Sequence, residues 1–223
     1  MSFDWLDRGV IPIHTSKKPR SGQVRVACVG DSITYGYGVE HWSKNNYPAV
    51  LQSLLGNGYC VNNYGFSGAT ASDCGDSPYR RERVYRESLA FSPNIVILML
   101  GTNDTKPQNW RGAAAYANDL KEILDAYRAL PSHPDIFLMA PPPVWDLDGH
   151  GVGYDIDERV LKEELYPVVQ ELANGEKVWY IDLYREMQGQ KDLFWDGVHP
   201  NADGARRIAE TVCQAIKKER QQI

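Results

Sequence analysis

Residues 24–34 read Val-Arg-Val-Ala-Cys-Val-Gly-Asp-Ser-Ile-Thr, a short apolar run that ends in glycine and two polar residues. The run at 24–29 is nearly continuous and rich in valine, which is typical of a strand covered on both faces. Gly30 permits a tight turn into a helix, and Ser32 stands near the N-terminus of that helix, where its backbone N–H can face an anion. The stretch therefore predicts a buried parallel strand that presents a hydroxyl group at its carboxyl end.

Similar apolar runs alternate with segments of helical periodicity along the rest of the chain. The further predicted strands are 59–63, 94–100, 135–140 and 178–182. The predicted helices are 47–55, 113–130, 157–173 (with a kink at Pro167) and 203–218. Because strands that alternate with helices form a parallel sheet covered on both faces, we predict an α/β fold. Its three layers are α/β/α, around a five-stranded parallel sheet.

Composition places the chain among ordinary globular proteins. It has 223 residues, of which 43% are hydrophobic and 24% are charged, with a formal net charge of −5. This length suits one domain, which we assign to residues 23–223, preceded by an N-terminal arm at residues 1–22. The negative charge argues against nucleic acid or an anionic membrane as a partner. The sequence leaves a homo-oligomer open.

The sequence gives no support for a metal, a cofactor or a signal peptide. The four cysteines form no CxxC pair, and Cys28, Cys60 and Cys213 fall at positions predicted to be buried. His150 follows two aspartates but lacks the further ligands that a metal ion needs. We therefore expect no metal and no cofactor. Residues 1–20 contain no apolar segment of signal-peptide length, so a cytoplasmic location is expected.

Polar residues suited to chemistry follow three of the strands and precede the last helix. Ser32 follows the first strand, a loop with Gly68 follows the second, and Asn103 follows the third. Asp196 stands three residues before His199. Each alone has a structural explanation: a helix-capping serine, a turn glycine, an Asx turn and a surface ion pair. Together, at the edge where parallel sheets bind ligands, they form the set that acyl transfer requires.

The same blocks resemble the SGNH hydrolases, also called the GDSL family, whose name gives Ser, Gly, Asn and His in chain order. They are Ser32 in GDSIT, Gly68 in NYGFSGAT, Asn103 in GTND and His199 in DGVHP. The resemblance spans residues 24–216, with Ile33 replacing the leucine of the older motif name. It implies a flavodoxin-like SGNH hydrolase fold and the activity of a serine esterase.

The resemblance also implies a role for each residue of the set. Ser32 would be the nucleophile, His199 its general base and Asp196 the group that orients the imidazole. The backbone N–H groups of Ser32 and Gly68 and the side-chain amide of Asn103 would form the oxyanion hole. The reaction would pass through an acyl-enzyme on Ser32.

The sequence says less about the substrate than about the catalytic residues. Trp195, Phe66 and Trp110 lie near the predicted site and could contact a sugar ring or an acyl chain. The chain lacks a long apolar lid segment, and residues 101–110 resemble bacterial SGNH proteins associated with carbohydrate deacetylation. We expect a short-chain, acetyl-type ester of a sugar or oligosaccharide. A lysophospholipase, an acyl-thioester hydrolase and a catalytically silent binding module are the alternatives.

Overall fold

The structure, a computed structural model, describes residues 16–176 and 178–220. Its strands form one parallel sheet in the order β2-β1-β3-β4-β5. The strands are β1 Val24–Gly30, β2 Tyr59–Gly65, β3 Ile95–Met99, β4 Asp135–Met139 and β5 Trp179–Ile181. The predicted α/β fold with five parallel strands is confirmed, and this order is the flavodoxin-like one.

Helices connect the strands and cover the sheet. The described residues hold α1 Ser32–Tyr35, α2 Trp42–Asn45, α3 Tyr47–Leu55, α4 Arg83–Ala90, α5 Ala113–Arg128, α6 Glu158–Val160, α7 Tyr166–Glu176, α8 Leu183–Glu186 and α9 Ala202–Arg220. A π-helical turn, Leu161–Leu165, links α6 to α7 and directly precedes the turn that contains Pro167. Proline has no N–H to donate, and a wider hydrogen-bonding pattern before it accommodates that loss.

The two faces of the sheet bury separate apolar clusters, as the alternation along β1 shows. Val26 and Cys28 pack with α3 and α9 on one face. Ala27 and Val29 pack with α4, α5 and α7 on the other. Successive side chains of a strand point to opposite faces, so a continuous apolar run is needed where both faces are covered. The burial of both faces explains why β1 is apolar along nearly its whole length.

The order of the strands creates a crevice at one edge of the sheet. The chain passes from β1 outward to β2 and then crosses back to β3, which pairs with the other side of β1. Segments leaving β1 and β3 therefore turn toward opposite faces, and ligands bind between such segments. Gly30, the last residue of β1, pairs with Met99, the last residue of β3. Ser32 and Asn103 follow these two residues closely.

The part of the predicted arm that is described runs beside the edge strand β2. The Lys17 N–H donates to the Asn62 side chain at 2.9 Å, and the Asn62 amide donates back to the Lys17 carbonyl at 3.1 Å. Residues 1–15 of the predicted arm lie outside the described residues. The four cysteines are free thiols, and those predicted to be buried are buried. Within residues 16–176 and 178–220, no helix has the length and apolar character needed to cross a membrane.

Candidate active site

Ser32 lies at the tight turn between β1 and α1. The Asp31 carboxylate caps α1 by accepting a hydrogen bond at 2.9 Å from a backbone N–H of its first turn. A methyl group at Gly30 would overlap the Thr34 side chain and the Met99 carbonyl. Only glycine therefore lets β1, β3 and α1 approach so closely, and this approach holds Ser32 at the carboxyl edge of the sheet.

A second turn carries the imidazole. It is closed by a hydrogen bond from the Trp195 N–H to the His199 carbonyl at 3.1 Å. Inside it, Asp196 Oδ1 accepts from the backbone N–H groups of Val198 at 3.0 Å and His199 at 2.6 Å. Gly197 has a φ of +84°, in the left-handed region that favours glycine. The short spacing between the carboxylate and the imidazole thus comes from a turn that the carboxylate itself stabilises.

The two turns meet in a continuous chain of hydrogen bonds. Ser32 Oγ lies 2.9 Å from His199 Nε2, and His199 Nδ1 lies 2.6 Å from Asp196 Oδ2. Burial alone would raise the pKa of Asp196, but hydrogen bonds from the His199 ring and from backbone N–H groups lower it below its usual value. A carboxylate at this position accepts from Nδ1 and leaves Nε2 free to accept the Ser32 proton. The arrangement can therefore activate a hydroxyl as a nucleophile.

Hydrogen-bond donors lie at the same edge. Gly68 has a φ of +84° in the loop after β2, and that loop is joined to β1 by the Phe66 N–H, which donates to the Gly30 carbonyl at 2.9 Å. The Asn103 amide donates one hydrogen to the Ala69 carbonyl at 3.1 Å, which orients the amide and leaves its second hydrogen available. Among the described residues, the Gly68 N–H has no hydrogen-bond acceptor and is therefore available to a ligand. The loop and the amide thus offer donors that an oxyanion could use.

Two buried residues that the sequence did not single out hold these donors in place. Asp104 accepts from the backbone N–H groups of Ala71 at 3.0 Å and Ser72 at 2.8 Å, which ties the β2 loop to the β3 loop. Burial raises the pKa of Asp104 to about 7. Asn109 donates to the Asn103 carbonyl at 2.8 Å and so fixes the backbone of that turn.

Three aromatic rings lie close to the imidazole of His199, which is itself buried. The ring centroids of Tyr37 and Tyr154 lie 4.8 Å and 4.9 Å from that of His199. Trp195 lies 6.3 Å away with its ring plane at 25° to the imidazole. Trp195 is 42% exposed and Tyr154 is 46% exposed, so apolar surface beside the imidazole is open to a ligand.

The three predicted substrate-contacting residues differ in their surroundings. Trp195 lies in the aromatic group beside His199. Phe66 is partly buried against the core face that packs on α4 and α5. The Trp110 ring packs against Tyr116, and its N–H donates to Glu164 at 3.0 Å. Their roles toward substrate stay predictions.

Tyr37 and Tyr154 were missed because neither follows a strand or fits a periodic pattern. Tyr154 belongs to the glycine- and proline-rich segment 141–154, whose composition indicates a solvated loop. Tyr37 stands only five residues after Ser32, and that proximity is the signal that could have found it. His150, in the same segment as Tyr154, is exposed as predicted.

The structure thus places a hydroxyl, an imidazole and a carboxylate in one chain of hydrogen bonds beyond the carboxyl edge of a parallel sheet. Residues 28–207 match the model of the GDSL-like lipase/acylhydrolase family. The chain belongs to this family, as its sequence motifs indicated.

Two relatives of known name are esterases. An acetylxylan esterase of Xylanibacter ruminicola is 37% identical over 217 residues, covering 89% of this chain and 44% of that protein. A multidomain esterase of Ruminococcus flavefaciens is 28% identical over 228 residues, covering 88% of this chain and 29% of that protein. The chain thus spans less than half the length of either relative.

Solved structures share the fold. An aryl esterase of M. smegmatis has a TM-score of 0.70 at 22% identity, covering 87% of this chain and 99% of that one. A carbohydrate acetylesterase family member from Sinorhizobium meliloti has a TM-score of 0.69 at 22% identity, covering 88% and 98%. At this level of identity, the likeness shows a common fold alone.

Proposed function

We propose that this protein is a serine esterase that removes short acyl groups, acetyl in particular, from carbohydrate esters. The observation that carries the proposal is the chain of hydrogen bonds from Ser32 Oγ through His199 to Asp196, at 2.9 Å and 2.6 Å. Both distances lie within the range in which a serine can pass its proton to an imidazole held by a carboxylate.

In the first half of the proposed reaction, Ser32 Oγ attacks the carbonyl carbon of the ester while its proton passes to His199 Nε2. The carbonyl oxygen becomes an oxyanion that accepts from the Ser32 and Gly68 N–H groups and the Asn103 amide. The bond to the alcohol then breaks, and His199 gives the same proton to the leaving oxygen. An acyl ester of Ser32 remains.

In the second half, water replaces the alcohol. His199 Nε2 takes a proton from the water as its oxygen attacks the acyl carbon, and the oxyanion forms in the same hole. Collapse returns the proton to Ser32 Oγ and releases the carboxylic acid. Asp196 stabilises the imidazolium formed in both halves, and its lowered pKa favours the charged carboxylate that this requires.

The aromatic group beside His199 supports a carbohydrate as the alcohol. His199 Nε2 must reach the leaving oxygen to protonate it, so the alcohol has to lie next to the imidazole. The rings of Tyr37, Tyr154 and Trp195 lie there, within 6.3 Å of the imidazole centroid. Aromatic faces pack well against the apolar faces of sugar rings, whereas the acyl group occupies the other side of the carbonyl carbon.

One named relative supports acetyl as the acyl group, because the protein that is 37% identical is an acetylxylan esterase. An acetylated xylo-oligosaccharide is therefore the first natural-type substrate to assay.

Hydrolysis of p-nitrophenyl esters from acetate to laurate, by the wild type and Ser32→Ala, tests the proposal. We expect a preference for acetate that is lost in the variant, together with release of acetate from an acetylated xylo-oligosaccharide. A preference for laurate and hydrolysis of a lysophospholipid or an acyl-thioester would replace the acetyl-sugar substrate with one of those classes. No hydrolysis of any ester, with retained binding of the oligosaccharide, would indicate a silent binding module.

A further inference from the structure

An irregular segment, residues 145–157, bridges the candidate active site between β4 and α6; we call it the strap. At one end, the Trp145 N–H donates to the Gly197 carbonyl at 2.9 Å. At the other end, the Asp157 N–H donates to the Thr105 hydroxyl at 3.3 Å. Gly197 belongs to the turn that carries the imidazole, and Thr105 belongs to the turn that carries the predicted oxyanion amide. The strap therefore joins the two halves of the site.

One side chain of the strap reaches the carboxylate of the hydrogen-bonded chain. The Tyr154 hydroxyl donates to Asp196 Oδ2 at 2.9 Å, and the same oxygen accepts from His199 Nδ1 at 2.6 Å. Burial and the nearby carboxylate raise the pKa of Tyr154, so the phenol is neutral and acts as the donor. Asp196 Oδ1 already accepts two backbone hydrogen bonds. A carboxylate has about four acceptor positions, so the phenol fills the last of them.

The ring of the same tyrosine restrains the imidazole. Its centroid lies 4.9 Å from that of His199, and the two rings are nearly perpendicular at 88°, an edge-to-face packing. Tyr154 and Asp155 both adopt positive φ angles, 63° and 59°, which non-glycine residues rarely do. The backbone of the strap thus takes an uncommon conformation at the residue whose side chain contacts both Asp196 and His199.

We infer that Tyr154 is a positioning residue that holds the Asp196 carboxylate and the His199 ring in register for proton transfer. This inference rests on the proposed function, because it assigns Tyr154 a part only if those two residues act on Ser32. The phenol acts through Asp196 and touches none of the reacting atoms. The phenol also draws negative charge from Asp196 Oδ2, so the carboxylate attracts the imidazole proton less strongly.

The substitution Tyr154→Phe keeps the ring and removes the donor. Without the phenol, the carboxylate is less restrained and attracts the imidazole proton more strongly. We expect kcat for p-nitrophenyl acetate to fall about 3–10-fold with KM changed less than about twofold. We expect the acidic limb of the kcat/KM profile to move up by about half a pH unit. Tyr154→Leu, which also removes the ring, should lose more activity than Tyr154→Phe.

A matched control lies elsewhere in the chain. The Tyr166 hydroxyl donates to Asp182 Oδ2 at the same 2.9 Å, and neither residue belongs to the site. Tyr166→Phe therefore removes a phenol–carboxylate bond of the same length, together with the bond that this hydroxyl accepts from the Gln170 amide at 3.1 Å. Both variants should lose a similar, small amount of thermal stability, whereas only Tyr154→Phe should change kcat and the pH profile.

Three results would overturn the inference, and they differ in what they imply for the proposed function. If Ser32→Ala abolishes activity but Tyr154→Phe matches the wild type in kcat and pH profile, Tyr154 has no positioning role and the proposed function stands. If Ser32→Ala retains full activity, the proposed function fails and the positioning role fails with it. Equal kinetic losses in Tyr154→Phe and Tyr166→Phe would show a general structural effect and also refute the inference.

Discussion

Replacement of Asn103 by alanine removes one side-chain donor from the proposed oxyanion hole. In the structure the Asn103 amide donates one hydrogen to the Ala69 carbonyl at 3.1 Å, which leaves the other free for the substrate oxygen. The backbone of the turn should persist in the variant, because the hydrogen bond from Asn109 goes to the main-chain carbonyl of residue 103. The substitution thus deletes the donor and leaves its surroundings in place.

The expected loss follows from what the donor does in each state. An oxyanion develops only as the carbonyl is attacked, so the amide contributes far more to the transition state than to bound ester. Loss of one such donor lowers kcat by about 10²–10³-fold, or roughly 3–4 kcal/mol, with little change in KM. The lost bond to Ala69 should lower the free energy of unfolding by about 1 kcal/mol.

Steady-state hydrolysis of p-nitrophenyl acetate separates these effects, with urea unfolding as the measure of stability. Asn103→Asp is the matched variant, since it keeps the shape but replaces the donor with an acceptor that repels the oxyanion. We expect Asn103→Asp to lose more activity than Asn103→Ala. A less than fivefold loss of kcat in a folded Asn103→Ala protein, or a loss confined to KM, would refute the assignment of Asn103 as an oxyanion donor.

Three other substitutions test different parts of the site. Gly197→Ala places a side chain on a residue with a φ of +84° and against the Trp145 carbonyl. We therefore expect the free energy of unfolding in urea to fall by about 2 kcal/mol or more, and kcat to fall strongly. Wild-type values for both would contradict this expectation. Trp195→Ala should raise KM for an acetylated xylo-oligosaccharide about 3–10-fold through lost ring packing, while KM for ethyl acetate stays within about twofold. Equal changes in KM for both substrates would show that Trp195 does not contact the sugar. Burial raises the pKa of Asp31 to about 6. Between about pH 4 and 6 the folded state therefore retains a proton that the unfolded chain releases. The free energy of unfolding should fall by up to about 3 kcal/mol as the pH rises through this range. Asp31→Asn should remove this part of the slope in urea unfolding, and identical slopes would contradict it.

The sheet and the contact of Ser32 with His199 and Asp196 could be predicted because each leaves a local mark in the sequence. Strands covered on both faces need continuous apolar runs, and the run before Gly30 is β1. Ser32, Asn103 and His199 stand at fixed short distances from a strand end or a helix start. Parallel topology then brings such positions to one edge.

Tyr37, Tyr154 and the strap could not be predicted in the same way. Tyr154 reaches Asp196 across 42 residues of chain, through a backbone conformation that tyrosine seldom adopts. Local propensity gives no weight to such a conformation, since tertiary contacts maintain it. Asp104 shows the same limit: its carboxylate orders the backbone at Ala71 and Ser72, a contact visible only once β1 and β3 are paired.

Covalent labelling tests the role of Ser32 most directly. The protein is treated with a serine-directed phosphonate, digested and mapped by mass spectrometry, with Ser32→Ala and His199→Ala treated in parallel. We expect one modified serine, Ser32, in the wild type, with loss of esterase activity in proportion to labelling. Ser32→Ala should take up no label, and His199→Ala should react far more slowly, because Oγ is inert until an imidazole accepts its proton. Labelling of a different serine, or full loss of activity with Ser32 unmodified, would show that Ser32 is not the nucleophile.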